Sequence, residues 1–169
     1  MTKKITNKKK SAKKRKAGTS RKPPPPAIDM SALSPLIGYH LRRAMATLIR
    51  SYNRNVHGGR IRPGLASLVE LVATNHGASQ VDLSRALQVD KATLVALIDT
   101  AEQNGWLRRQ RSTVDRRRHE VIVTPKGEKV AAELNAETRR NERKFQKLFT
   151  EEELASLIEY LQRIYTTPP

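Results

Sequence analysis

Arg108, Arg109, Arg111, Arg116, Arg117 and Arg118 place six guanidiniums within eleven residues, opposed only by Asp115. A guanidinium is a permanent cation with a planar fork of donors. A solvated surface seldom collects so many without an anion to receive them. Phosphate suits this chemistry, because arginine forks pair with its oxygens. A hairpin-tip arginine, Arg116 or Arg117, is suited to a narrow minor groove, where negative potential is enhanced. Strand alternation turns some of the six to solvent, so not all of them can read DNA.

A second set lies just upstream. Asp90 stands where a helix cap belongs, and Lys91 and Thr93 are the first side chains of the helix that follows. Lys91 can donate to guanine O6/N7 or to a phosphate, and Thr93 can offer a hydrogen bond or a methyl contact to thymine. Their ordinary explanation is solvated first-turn residues; the adjacent arginines favour DNA contact. Ser79 and Gln80 open the preceding helix, whose free backbone N–H groups suit a phosphate. For Ser79, capping alone is the simpler role.

Catalysis and metal binding find little to work with. His40, His57, His76 and His119 are scattered, and there is no cysteine. That excludes a disulfide scaffold, a zinc ribbon and a thiol nucleophile. The HExxH, GxSxG, GxxxxGK[ST] and GxGxxG patterns are absent, so no enzymatic activity and no cofactor are expected. Seven aromatic residues, none in an RNP pattern, argue against an RNA-stacking sheet.

The elements that position these residues follow from periodicity. Ser34-Pro35 reads as a cap and first helical position, followed at helical spacing by Leu41, Ala44, Met45, Leu48, Ile49, Tyr52 and Val56. That helix, over twenty residues long, should end at Gly58-Gly59. Pro63 opens a second helix. Ser79-Gln80-Val81-Asp82 fits a capping box with Asp in place of Glu. Two short helices then meet at Gln88-Val89, the pattern of a helix-turn-helix. After Asn104-Gly105 the period changes to that of strands, residues 106–111 and 117–123, which form a wing. Trp106 should pack the wing onto the core. Thr124-Pro125 begins a long polar helix, and Thr150 to Glu153 cap a final one.

The charge is uneven. Of a net +17, residues 1–22 carry eleven Lys and Arg and no acid, leaving +6 for the rest. So polar a stretch cannot offset its ordering entropy by burial and is expected to be disordered. Pro23 to Pro26 form a stiff spacer. The arm would add sequence-independent attraction to phosphates, although a solubility tail or a chance basic patch also fits. No stretch approaches the roughly 18 apolar residues of a membrane span, and no apolar run follows the basic start. A soluble cytoplasmic protein is therefore expected.

The combination of Asp90-Lys91-Ala92-Thr93-Leu94-Val95, Asn104-Gly105-Trp106-Leu107, Asp115-Arg116-Arg117 and Val123-Thr124-Pro125-Lys126-Gly127 resembles the multiple-antibiotic-resistance regulator (MarR) family of bacterial transcription factors. The resemblance runs over roughly residues 34–165. Gly64 stands where the family usually has a larger polar residue, and the basic arm is not a general family feature.

The resemblance implies a mainly α fold with a small β-wing. Residues 1–26 would be arm and linker, 27–62 an N-terminal dimerisation helix, 63–124 a winged helix-turn-helix and 125–169 C-terminal dimerisation helices. It implies a homodimer on a near-palindromic double-stranded operator, with Asp115 and a neighbouring arginine paired to fix the wing. The expected DNA contacts are Ser79, Gln80, Lys91, Thr93, Arg109, Arg111, Arg116, Arg117 and Arg118. Some members release DNA on binding a small aromatic acid or a coenzyme A thioester. The first helix lines that pocket, which here puts forward Tyr39, His40, Arg43 and Tyr52. Tyr39 and Arg43 share a face, and an arginine beside an aromatic suits a carboxylate or a coenzyme A phosphate. Singly, each is as well explained by dimer packing or surface charge. The competing function is a ligand-independent architectural DNA-binding protein.

Overall fold

The computed structural model describes residues 28–111 and 119–167. They belong to two units, one ending at Leu36 and the other starting at Ile37. In the first, Asp29 accepts the Ser31 N–H at 2.9 Å and its hydroxyl at 3.1 Å. The Met30 carbonyl accepts the N–H groups of Leu33 and Ser34. Those acceptors engage the segment in turns, so Ser34-Pro35 does not open a helix as its pattern suggests. The first helix, α1 (Ile37–Asn55), starts later and has 19 residues, fewer than expected.

The second unit continues with a 3-10 turn at His57–Gly59, α2 (Pro63–Thr74), α3 (Gln80–Leu87) and α4 (Lys91–Gln103). Strands β1 (Leu107–Arg111) and β2 (His119–Val123), then α5 (Pro125–Gln146) and α6 (Glu151–Thr166), complete it. Helix α2, with Pro63 in its first turn, buries Leu65, Ala66, Leu68, Val69 and Val72. It packs against α3, α4, α5 and β2. Leu83, Leu94, Ile98, Leu107, Val121 and Leu134 close the core around it. Each such side chain, fully buried, stabilises the fold by about 1.5–3 kcal/mol. Trp106 joins this core at the root of the wing.

The expected caps form. Ser79 with Asp82, and Thr150 with Glu153, make reciprocal capping boxes. The Thr124 hydroxyl accepts the Gly127 N–H at 3.0 Å. Helices α1 and α5 meet through polar groups: buried Asn141 accepts from the Ser51 hydroxyl at 2.6 Å and from Asn55 at 3.1 Å. Glu137 accepts the His57 N–H at 2.6 Å, holding that residue at φ 46°.

Two helices keep apolar surface open. Only Tyr52 of α1 is buried, while Ile37, Met45 and Ile49 are exposed. None of the described residues of α6 is buried, and Ile158, Tyr160, Ile164 and Tyr165 face solvent. Among the described residues no helix is long and apolar enough to cross a membrane.

Candidate nucleic-acid interface

Helices α3 and α4 are set at a fixed angle by the turn between them. Gln88 occupies the left-handed region at φ 50°, uncommon for a residue with a Cβ. The Ser84 hydroxyl holds the turn closed by donating to the Val89 carbonyl at 2.6 Å, and the Val89 N–H returns to the Ser84 carbonyl. Asp90 then caps α4. It accepts the Thr93 N–H at 2.8 Å and the Thr93 hydroxyl at 2.7 Å. Those donors, the backbone one first, hold the Asp90 carboxyl below its usual range. Because the Thr93 proton is committed to Asp90, the lone pairs and methyl of Thr93 are what remain for a base edge.

The wing is tied to α3. Ser79 bridges to Glu120 of β2, and the Val121 N–H donates to the Ala78 carbonyl at 3.0 Å. Beside this contact lies an open groove of about 780 Å³, lined in part by Ser79, Gln80, Val81, Arg85, Lys91 and His119. Lys91, Arg85 and His119 are exposed there, whereas Gln80 is half-buried. Ser79 is buried, its hydroxyl donating to Asp82 at 2.5 Å, so its side chain is occupied as a cap.

On β1, Arg108 and Arg111 are exposed, and Arg111 stands opposite His119 in the antiparallel register. Arg109 is half-buried and turned onto α4, where it meets Asp99 and Glu102. Asp115, Arg116, Arg117 and Arg118 lie outside the described residues. Sequence reasoning missed Arg85 and His119. Arg85 was within reach of it, since Leu83 and Leu87 define the inward side of α3 and leave Val81 and Arg85 on the other. His119 joins the groove only through strand register.

The residues put forward for a ligand divide into two places. On α1, Arg43 donates to the Tyr39 hydroxyl at 2.8 Å, and its guanidinium lies 5.4 Å from the ring centre. Arg42 approaches the same ring, and His40 meets it edge-on. Tyr52, thirteen positions further along, is about 20 Å away along the helix axis. It is buried, and neither its hydroxyl nor that of Thr138 has a hydrogen bond of good geometry. Burial, then the Glu70 carboxylate, push the Tyr52 phenol up. Among the described residues no group of His, Cys, Asp or Glu is arranged to hold a metal.

Two short helices across a tight turn, followed by a hairpin tied back to the first of them, define a winged helix-turn-helix, a DNA-binding module. The chain belongs to the MarR family: it is a DNA-binding transcriptional regulator. The family's model matches residues 63–119. A putative transcriptional regulatory protein for the hcr operon of Thauera aromatica is 31% identical over 130 residues, covering 76% of this chain and 78% of that protein. Among solved structures, the transcriptional repressor CouR bound to a 23-mer DNA duplex has a TM-score of 0.76 at 28% identity, covering 83% of this chain and 99% of that one. CouR bound to p-coumaroyl-CoA gives 0.74 at 26% identity, covering 82% of this chain and 98% of the other.

Proposed function

We propose that the chain is a homodimeric repressor, working in the cytoplasm on the nucleoid. It would be released from a near-palindromic operator by a small aromatic acid or its coenzyme A thioester. The observation that carries this reading is the likeness to CouR over nearly that protein's whole length, in one structure with DNA and in another with p-coumaroyl-CoA. The open apolar faces of α1 and α6 support the dimer, because exposed surface of that kind calls for cover. In this reading residues 27–62 and 125–169 associate, and residues 63–124 carry the DNA contacts.

DNA recognition then uses Lys91 and Thr93 at the opening of α4 on base edges, with Gln80 beside them. Arg111 and the wing arginines Arg116, Arg117 and Arg118 take phosphates or the minor groove, and the basic arm adds non-specific attraction. Tyr39, His40 and Arg43 form a cationic, aromatic surface that suits coenzyme A phosphates or a carboxylate, and Tyr52 packs deeper. An effector must prefer one spacing of the two reading helices, because equal affinity for both would shift nothing. No step of this reading is catalytic.

The test is a gel shift on the promoter adjoining the protein's own gene, at physiological salt, challenged with aromatic acids and their thioesters. A preference over random DNA of about 10³-fold or more is expected of a repressor, with release by a compound of this class. A preference near unity, or binding that no such compound relieves, would favour an architectural protein. Sedimentation showing only monomers at micromolar concentration would remove the dimer.

A further inference from the structure

Arg109 stands apart from the other described arginines of the wing. It sits midway along β1, paired with Val121, and its backbone N–H donates to Glu102 Oε1 at 2.6 Å. One arm of its guanidinium pairs with Glu102 Oε2. The other reaches Asp99 Oδ1 at 2.7 Å and the Val95 carbonyl at 3.5 Å. Residues 95, 99 and 102 follow one another along a single face of α4, so the guanidinium lies across more than a turn of the helix whose first residue, Lys91, lines the groove. Arg108 and Arg111, on the same strand, have no acidic partner among the described residues.

We propose that Arg109 is a positioning residue that sets the angle between the wing and the DNA-reading helix α4, and that it does not itself contact DNA. Two carboxylates face one guanidinium, so this spot has no spare positive charge to offer a phosphate. Both terminal guanidinium nitrogens, at least one of which a fork onto a phosphate or a guanine must use, already meet acceptors on α4. The tie is also placed to act on the wing. Leu107 and Val121 root the hairpin in the core, and Arg109 holds β1 to α4 just beyond that root. Its loss would let the outer strand residues pivot away from the groove that Lys91 lines.

The test uses the full-length protein and four variants, Arg109→Ala, Arg109→Lys, Glu102→Gln and Arg111→Ala. Affinity for operator and for random DNA is measured over a salt series, well below each variant's melting midpoint. A lost phosphate contact lowers the log–log salt slope by about 0.9. Arg111→Ala should lower it by that amount, and Arg109→Ala should leave it unchanged. Arg109→Ala should weaken operator binding by about tenfold, the scale of one lost base contact, and so reduce the preference over random DNA. Arg109→Lys should fall between, since an ammonium cannot span both carboxylates.

Glu102→Gln is nearly isosteric and keeps an acceptor for the Arg109 N–H, so it reports even if Arg109→Ala folds poorly. It should weaken operator binding, although deleting a negative charge near DNA would by charge alone tighten it. A salt slope that drops with Arg109→Ala, or an operator affinity that rises with Glu102→Gln, would overturn the proposal. So would a melting midpoint that falls while the preference for operator holds, which marks a merely structural role. The inference rests on a preferred operator existing. The wild-type ratio tests that separately, and the salt slope on random DNA reads Arg109 either way.

Discussion

Gly127 and Trp106 approach so closely that a Cβ added to Gly127 would lie 2.0 Å from the Trp106 carbonyl oxygen and 2.9 Å from a Val123 methyl. The first turn of α5 thus rests directly on the backbone at the base of the wing. That contact is reinforced by the Thr124 N–H, which donates to the same carbonyl at 2.9 Å. A glycine is required because the obstructing atoms are mainly backbone and cannot rotate aside. Gly127→Ala should therefore destabilise the fold by about 1–3 kcal/mol, the usual cost of overpacking, with a lower urea midpoint at unchanged slope. An alanine variant as stable as the wild type would mean that α5 can lift off the wing freely.

Buried Asn141 gathers the Ser51 hydroxyl and the Asn55 amide, and Lys144 donates to the same Ser51 hydroxyl. Asn141→Ala takes the acceptor from the half-buried Ser51 hydroxyl, while exposed Asn55 keeps its bond to Ser51. A loss of about 1–3 kcal/mol is expected from the hydroxyl left without its acceptor. Chemical denaturation of the variant, compared with Ser51→Ala and with the double substitution, should show strong non-additivity. Simple additivity would mean that the two residues do not act as one network.

Glu70 is half-buried, and burial pushes its carboxyl up, with the Asn135 amide and then Arg139 opposing. A folded-state pKa above the unfolded one means that the folded chain holds the proton longer. Its favourable contribution is full below the ordinary glutamate pKa and fades as pH rises through the raised value. Glu70→Gln should consequently stabilise the fold at neutral pH and change little well below the ordinary glutamate range. Melting curves from acid to neutral pH check this, and a variant less stable at neutral pH would contradict it.

Lys91 is exposed at the first position of α4 and lines the groove beside Arg85 and His119. Lys91→Ala should cost about 1–3 kcal/mol of operator discrimination if the ammonium reads a guanine. If it holds a phosphate instead, affinity falls for all sequences together and the salt slope drops by about 0.9. Binding unchanged on both counts would place the opening of α4 outside the interface.

Much of this architecture can be read before any coordinates. Ser79 with Asp82 and Thr150 with Glu153 announce two helix starts, since a capping box needs only four residues in order. Asp90 and Thr124 do the same for α4 and α5, and the change of period after Gly105 marks the wing. The start of α1 was not legible, because Asp29 and Met30 compete for donors upstream of Ser34. A cap motif carries no record of its rivals. The left-handed Gln88 was also hidden, since nothing in its side chain favours that conformation.

The ligand residues show the same division. Tyr39 and Arg43 were legible as a pair because they are four apart on one helix, and they do meet. Tyr52 looks equivalent in a sequence, yet it faces Thr138 and Glu70 in the interior. Helical spacing tells which residues share a side of α1, and not what that side is pressed against.

The order of amino acids alone determined that this chain makes capped helices, a turn between two of them and a basic hairpin, because each depends on interactions among residues a few positions apart. Only the tertiary structure decided how each described cation of the wing is placed. Arg108, Arg109 and Arg111 are chemically identical and nearly adjacent, and two of them face solvent while the third closes on Asp99 and Glu102. That choice follows from how a strand lies across a helix, and the packing that sets it is spread over the whole core.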